Sequence, residues 1–144
     1  MDCFFFVKMI LLNTGNNVIT VTVNEKITLI NPEYIFIFVN STTNKKFACT
    51  SLEIDSVDFK SIFNIEVGVN SPLLNKVLLD DYGYYFYYIY ETNNAAGFDY
   101  ANVDSLDLRT MTGLLETGKM YWQAPSVTNN YYKDLKDSSV SYGQ

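Results

Sequence analysis

Short runs of β-branched and aromatic residues, separated by clusters of Asn, Gly, Ser and Asp, recur along most of this chain. The clearest runs are residues 18–23, 34–39, 59–69 and 84–91. Several of them alternate polar and apolar residues, as strands with one buried face do. Residues 34–39 are apolar throughout, as expected for a central strand covered on both faces. Since no segment keeps a helical period beyond two turns, the pattern predicts an all-β chain of antiparallel strands.

The stretches between these runs are less regular. Residues 26–30 fit a continuation of the preceding strand through a bend, and residues 73–79 fit either a short strand or a helical turn. Residues 92–112 are polar and rich in Asn and Asp, and long segments of this kind are usually functional or mobile. Residues 114–122 fit a last strand that is kinked at Gly118.

The strand at 84–91 is preceded by a recognisable turn sequence, Asp81-Tyr82-Gly83-Tyr84-Tyr85. It matches the Asp-x-Gly-x-Tyr pattern before strand F of immunoglobulin-like sandwiches, where the tyrosine hydroxyl bonds to upstream backbone and the glycine allows a sharp turn. Tyr87 stands where antibody domains carry their second cysteine, so the pattern implies no disulfide between the sheets. The sequence therefore predicts an immunoglobulin-like antiparallel β-sandwich with a tyrosine corner formed by Asp81, Gly83 and Tyr85.

The two ends of the chain differ from the middle. Residues 1–12 are predicted to form an N-terminal extension or a first strand; insertion into a partner and a translation start at Met9 are alternatives. They do not fit a signal peptide, because no basic region precedes the apolar run, and they are shorter than the ~20 residues that span a bilayer. Residues 125–144 fit a flexible C-terminal tail. The sandwich domain is therefore predicted to span residues 13–124. No contact with a membrane is expected.

The charged residues exclude several functions. The chain has 10 Lys and Arg against 16 Asp and Glu, a net charge of −6, and this balance opposes binding to the phosphates of nucleic acid. It has no histidine, which removes Ser-His-Asp and Cys-His relays and the commonest metal ligand. The carboxylates at 53–58, 80–81 and 99–107 fit turn residues or caps rather than a convergent catalytic pair or a calcium loop. We expect a non-enzymatic protein without cofactor or metal.

The two cysteines, Cys3 and Cys49, are far apart in sequence. They lack the close spacing of a zinc site or of a Cys-x-x-Cys redox motif. One disulfide and two free buried thiols both fit this spacing, and the free thiols are favoured.

Aromatic residues are concentrated in segments 82–90 and 121–142, which hold most of the 12 tyrosines. In the strand at 84–91 they occupy both faces, and one face would expose a large aromatic patch unless something covers it. Burial in the core, a protein interface and a sugar-binding platform all fit this pattern. The candidate interface residues are Phe4, Phe5, Phe6, Tyr88, Tyr90, Tyr121 and Trp122. A carbohydrate-binding module would instead stack sugars on Tyr87, Tyr131 or Trp122.

Five runs occur in a characteristic order: MILLN at 9–13, NVITVTV at 17–23, NPEYIFIFVN at 31–40, GYYFYYIYE at 83–91 and GLLETGKM at 113–120. In this order and spacing the chain resembles small β-sandwich virion proteins of crAss-like and related tailed phages of Bacteroidetes. The resemblance covers most of residues 9–121, and the chain departs from the pattern at residues 1–8, 92–112 and in its Tyr-rich tail.

The resemblance implies a non-enzymatic virion structural protein, synthesised in the host cytoplasm and then bound to the capsid. The expected role is that of an auxiliary or head-decoration protein, present in many copies on the lattice of the major capsid protein. It carries over no catalytic residue and no cofactor. A position at the portal or the tail, and adhesion to host-surface glycans, are the alternatives that stay open.

Overall fold

The computed structural model describes residues 9–23, 26–57 and 60–124. Strands account for most of the regular structure in these residues: β1 Met9–Leu12, β2 Gly15–Val21, β3 Glu33–Asn40, β4 Lys46–Thr50, β5 Glu53–Val57, β6 Lys60–Val67, β7 Lys76–Val77, β8 Gly83–Thr92 and β9 Leu114–Trp122. Short 3₁₀ helices connect some of them: Pro72–Leu74, Ala95–Gly97, Tyr100–Ser105 and Leu108–Thr110. The predicted all-β class is confirmed.

The strands form two sheets that pack face to face. One has the order β1-β9-β8-β3-β4, and the other has the order β2-β6-β5 with β7 added beside β6. The β1–β9 and β6–β7 pairs are parallel, and the other pairs are antiparallel. This division places β3, β8 and β9 opposite β2, β5 and β6, as an immunoglobulin sandwich places strands C, F and G opposite B, D and E. The predicted immunoglobulin-like sandwich is confirmed.

The main core lies between the two sheets and is built from alternate residues of each strand. On β6, for example, Phe63 and Ile65 are fully buried while Asn64 is half-buried on the opposite face. Phe36 of β3 meets Phe63 edge to face, with ring centroids 5.0 Å apart. Aromatic pairs in this geometry stabilise a core beyond the area that they bury.

A tyrosine corner connects the start of β8 to the turn before it. The Tyr85 hydroxyl lies 2.6 Å from the Asp81 carbonyl oxygen and 2.7 Å from Asp80 Oδ1. Gly83 has φ +129°, which L side chains rarely adopt, so glycine is required at this sharp turn. The Tyr85–Asp81 contact is the one that the predicted corner requires, and the structure adds Asp80, which the sequence pattern did not indicate. Asn40 also donates to Asp80 Oδ1, at 3.1 Å.

The charge state of Asp80 follows from these contacts. Desolvation alone would raise the pKa of its carboxyl, but hydrogen bonds from Tyr85, Asn40 and the Asp81 N–H outweigh it and hold the pKa below its ordinary value. For Tyr85, burial and the bond to Asp80 both raise the pKa of the phenol. The corner therefore pairs an ionised carboxylate with a neutral hydroxyl.

A second polar tie links the two sheets at the position that antibody domains fill with cysteine. Tyr87 is buried and its hydroxyl donates to Glu116 Oε2, at 2.7 Å. Glu116 Oε1 in turn accepts hydrogen bonds from the backbone N–H and the hydroxyl of Thr22, just beyond β2. Gly118 pairs with Tyr87, and a Cβ there would lie only 2.8 Å from the tyrosine ring. The register between β8 and β9 continues through Gly118 without a shift, and it shifts only between Ile89 and Tyr90.

Two segments differ from the sequence predictions, and a third has both of the structures that its sequence left open. Residues 26–30 do not continue β2, because Glu91 accepts hydrogen bonds from the backbone N–H groups of Thr28 and Leu29. Residues 53–57 were predicted as part of a loop but form β5, which pairs with β6 despite residues of low strand propensity. Residues 73–79 combine the end of a 3₁₀ helix with the short strand β7.

The predicted ends are only partly described. Residues 9–12 form the first strand, β1, which pairs with β9 and therefore belongs to the sandwich. Cys49 is buried with a free thiol, and burial raises the pKa of that thiol. Cys3, the rest of the predicted extension and the predicted tail at 125–144 lie outside the described residues.

Replacement of Tyr85 by Phe tests the corner. Loss of the hydroxyl removes the donor to Asp80 and to the Asp81 carbonyl, so the free energy of unfolding should fall by about 1–2 kcal/mol. Urea denaturation measures it. Tyr84→Phe is the matched control, because the Tyr84 side chain is exposed on the other face of the same strand, and it should change stability by about 0.5 kcal/mol or less. Equal stability of the two variants would contradict the role given to the hydroxyl.

Candidate functional site

The outer face of the five-stranded sheet carries the aromatic side chains of β8 that do not enter the main core. In chain order they are Tyr84, Phe86, Tyr88 and Tyr90. Tyr84 is 57% exposed, whereas Tyr90 is only 3% exposed. The face is therefore open at the start of β8 and covered at its end.

The cover is the segment between β8 and β9, residues 92–112, which folds back over the sheet. Ala95 and Val103 from its 3₁₀ helices are buried against Ile35, Ile37 and Tyr90. This second apolar cluster explains why β3 is apolar on both faces, since one face contacts the other sheet and the other contacts this segment. The predicted interface residue Tyr90 is thus corrected, because the chain itself buries it.

Polar side chains fix the segment in place. Asn94, Asp99 and Asp107 accept hydrogen bonds from backbone N–H groups at the starts of the three 3₁₀ helices. Glu33 Oε1 accepts from the Ala95 N–H at 2.6 Å, and Asp104 Oδ1 accepts from the Lys46 N–H at 3.0 Å. The carboxylates of 99–107 serve as caps and anchors, as the sequence predicted.

The uncovered part of the sheet forms two rows across β1, β9 and β8. The register places Leu11 beside Tyr121 and Tyr121 beside Tyr84, and it places Met9 beside Lys119 and Lys119 beside Phe86. The Tyr84 and Tyr121 rings lie 4.7 Å apart. We call this surface the aromatic face and define it by Met9, Leu11, Tyr84, Phe86, Lys119 and Tyr121.

The aromatic face is apolar except for one cation. Met9, Leu11, Tyr84 and Phe86 are all exposed, and Lys119 is exposed among them. A cavity of about 440 Å³ opens between Met9, Phe86 and Lys119. A contiguous exposed apolar surface is a candidate for an interaction site.

The predicted interface residues divide into three groups. Tyr121 lies on the aromatic face, and Tyr88 is half-buried between this face and the 92–112 segment. Trp122 is corrected, because it points into the core, is only 6% exposed and lies beneath Tyr82, with ring centroids 4.2 Å apart. Phe4, Phe5 and Phe6 lie outside the described residues.

The burial of two aromatic rings also bears on the sugar-platform alternative. Tyr87 and Trp122 are both buried in the core, so neither can present a ring face to a sugar, and Tyr131 lies outside the described residues. Tyr84 and Tyr121 are accessible, but their ring planes are inclined at 60° and do not make one flat platform.

Met9 and Leu11 lie in the 1–12 segment that was considered for contact with a partner, whereas Tyr84 and Phe86 were not among the individually predicted interface residues. The alternation of β8 already placed Tyr84 and Phe86 on the same face as Tyr88 and Tyr90. Which end of that face is covered depends on the path of residues 92–112, and strand alternation carries no information about it.

A second apolar surface lies near the other edge of the smaller sheet, where the start of β5 and the start of β7 lie beside β6. Leu52, Ile54, Leu73 and Leu74 are exposed around a cleft of about 720 Å³. Asn64 Oδ1, in the lining of this cleft, is buried and accepts no hydrogen bond from the described residues. The cleft could hold an apolar group that brings a hydrogen-bond donor.

Glu91 is a buried acid at the end of β8. Its two oxygens accept hydrogen bonds from the Thr28 and Leu29 N–H groups and from the Thr28 hydroxyl, at 2.6 to 3.2 Å. Burial opposes ionisation, but these bonds outweigh it and lower the pKa of Glu91. The carboxylate therefore anchors the connection between β2 and β3 and is not poised to transfer a proton near neutral pH.

Two further observations complete the site. Among the described side chains, no three His, Cys, Asp or Glu residues gather in a group that could hold a metal ion. Within the same residues, no helix has the length and apolar character needed to cross a membrane.

No protein-family model matches the chain, and neither does any curated protein or solved structure.

Replacement of Glu91 by Gln tests the anchor. The pKa of Glu91 is lower in the folded chain than the ordinary 4.5, so its ionised form stabilises the fold above that pH, and the contribution is lost as pH falls below it. Glu91→Gln should lower the free energy of unfolding at pH 7 by about 1–3 kcal/mol.

The measurement is urea denaturation of wild type and variant from pH 7 to acid. The two stability curves should converge as pH falls below 4.5. Glu66→Gln is the control, because Glu66 makes only a partly exposed ion pair with Lys76 at 3.6 Å, which contributes little. A constant difference between wild type and Glu91→Gln at every pH would contradict the anchor.

Proposed function

We propose that the chain is a non-enzymatic structural protein of a phage particle, an auxiliary or decoration protein that binds the major capsid lattice through its aromatic face. The observation that carries the binding half of this proposal is the aromatic face itself, two apolar rows that the 92–112 segment leaves uncovered. The proposed place on a phage particle rests on the sequence motifs, whose order resembles that of small phage virion proteins.

The chemistry of the aromatic face suits a protein partner. Tyrosine and phenylalanine bury a large area with few rotatable bonds, and they are enriched at the centres of protein interfaces. Lys119, in the middle of one row, can pair with a carboxylate of the partner at the edge of the contact. The rows lie on three hydrogen-bonded strands, so little order has to be gained on binding.

Many weak contacts would give tight binding on a particle. A capsid lattice repeats the same site many times, and a component that contacts more than one lattice site gains affinity from the high effective concentration of the second site. This mechanism depends on contact area and geometry. Binding of this kind needs no catalytic carboxylate. The carboxylates of Asp99, Asp107 and Glu91 hold loops in place instead.

Replacement of Tyr84 by Lys tests the proposal on purified particles of the phage that encodes the chain. The added charge would have to be buried in the contact, so occupancy measured by co-sedimentation should fall about tenfold or more. Leu73→Lys is the matched control, because Leu73 is 54% exposed and lies in the other cleft, beside β5 and β7. It should bind as the wild type does.

The fraction that carries the chain decides the position on the particle. Binding to separated heads supports the decoration role, whereas binding only to tails or portals contradicts it. Equal occupancy of the two Lys variants would show that the aromatic face is not the contact. Binding of the wild type to a glycan array, lost with Tyr84→Lys, would favour the carbohydrate alternative.

A further inference from the structure

Apart from the two-residue strand β7, four described strands lie at the edges of the two sheets. An unprotected edge strand readily pairs with another chain. Of the four, β1 has only four residues. β4 is covered in part by the 3₁₀ helix Tyr100–Ser105, whose Asp104 bonds the Lys46 N–H. β5 has an irregular register between Glu53 and Asp55, and both residues are acidic. Short length, covering, irregularity and charge are the usual ways in which proteins protect an edge.

Among the residues that the structure describes, nothing protects the fourth edge strand, β2, in any of these ways. Its seven residues, Gly15–Val21, include no charge and no proline. Its register with β6 runs without a shift from Gly15 to Val21. Between Asn16 and Val21, none of the hydrogen bonds among the described residues joins the backbone of β2 to any strand other than β6.

We propose that β2 pairs with β2 of a second copy of this chain, antiparallel about a two-fold axis at Val18. The pairing would join the two smaller sheets into one continuous sheet across the dimer. Val18 is the middle residue of the strand and is 68% exposed on the outer face of its sheet. This interface is separate from the aromatic face, and it does not depend on the proposed virion role.

The side chains of β2 complement themselves under this symmetry. With Val18 opposite Val18 of the second copy, Asn16 lies opposite Thr20 in both halves of the strand pair, because a two-fold contact repeats each pair. A β-branched pair at the centre with hydrogen-bonding side chains on either side suits an antiparallel ladder.

Charge points to the same edge. Each copy has a net charge of −6, so two copies carry like net charge, and a contact free of charged side chains adds no local repulsion to it. β2 brings no charged side chain into the contact, whereas β5 would bring Glu53 and Asp55. The aromatic face belongs to the other sheet and stays free in such a dimer.

Sedimentation velocity of the full chain over a wide range of concentration tests the proposal. The wild type should be a reversible dimer. Val18→Lys places two like charges opposite one another and should weaken dimerisation about tenfold or more. Ile54→Lys is the matched control, since Ile54 is 58% exposed on β5, the other edge of the same sheet. It should leave the dimer unchanged, and circular dichroism checks that both variants fold.

A cross-link tests the register. In a Cys3→Ser background, Val18→Cys should form a disulfide between two copies under mild oxidation, because directly opposed residues of an antiparallel pair lie within disulfide range. Ile54→Cys in the same background should not. The proposal is overturned if the wild type is monomeric at every concentration. It is also overturned if Val18→Lys leaves the dimer intact. Binding of another protein's strand to β2 would not rescue it, because the proposed partner is a second copy of this chain.

Discussion

The structure depends on the burial of one strand, β3, from both sides. Phe36 and Phe38 contact the second sheet, while Ile35 and Ile37 contact the 92–112 segment. A strand this apolar is costly to leave in water on either face, so the chain needs two cores. The long connection between β8 and β9 is therefore a structural layer. Glu33 and Asp104 hold it against the sheet through backbone hydrogen bonds.

The same layer determines which surface is left for a partner. It covers the end of β8 and stops before the start, so Tyr90 becomes core and Tyr84 stays accessible although both belong to one face of one strand. β1 then extends the uncovered part, because its parallel pairing with β9 brings Met9 and Leu11 beside the exposed rings. The aromatic face thus results from three segments that are distant in sequence.

Much of the fold could be predicted because it is encoded locally. Polar and apolar alternation identified β6, an unbroken apolar run identified β3, and an aromatic run identified β8. The Asp-x-Gly-x-Tyr turn identified the corner at Tyr85. β5 escaped prediction because Glu53, Asp55 and Ser56 are poor strand formers, and only pairing with β6 makes them a strand. The interface prediction failed at Tyr90 and Trp122 because segments distant in sequence bury both side chains. Periodicity gives the face of a residue and not what lies over that face.

The position of Tyr87 has a consequence for the conditions under which this sandwich can persist. In antibody domains a disulfide bond joins the two sheets, and reductants cleave it. Here a phenol, the Glu116 carboxylate and Thr22 span the sheets instead, and Cys49 keeps a free thiol. Since none of these links is a disulfide, a change in thiol redox balance leaves them unaltered, and they form equally well in reducing and in oxidising surroundings.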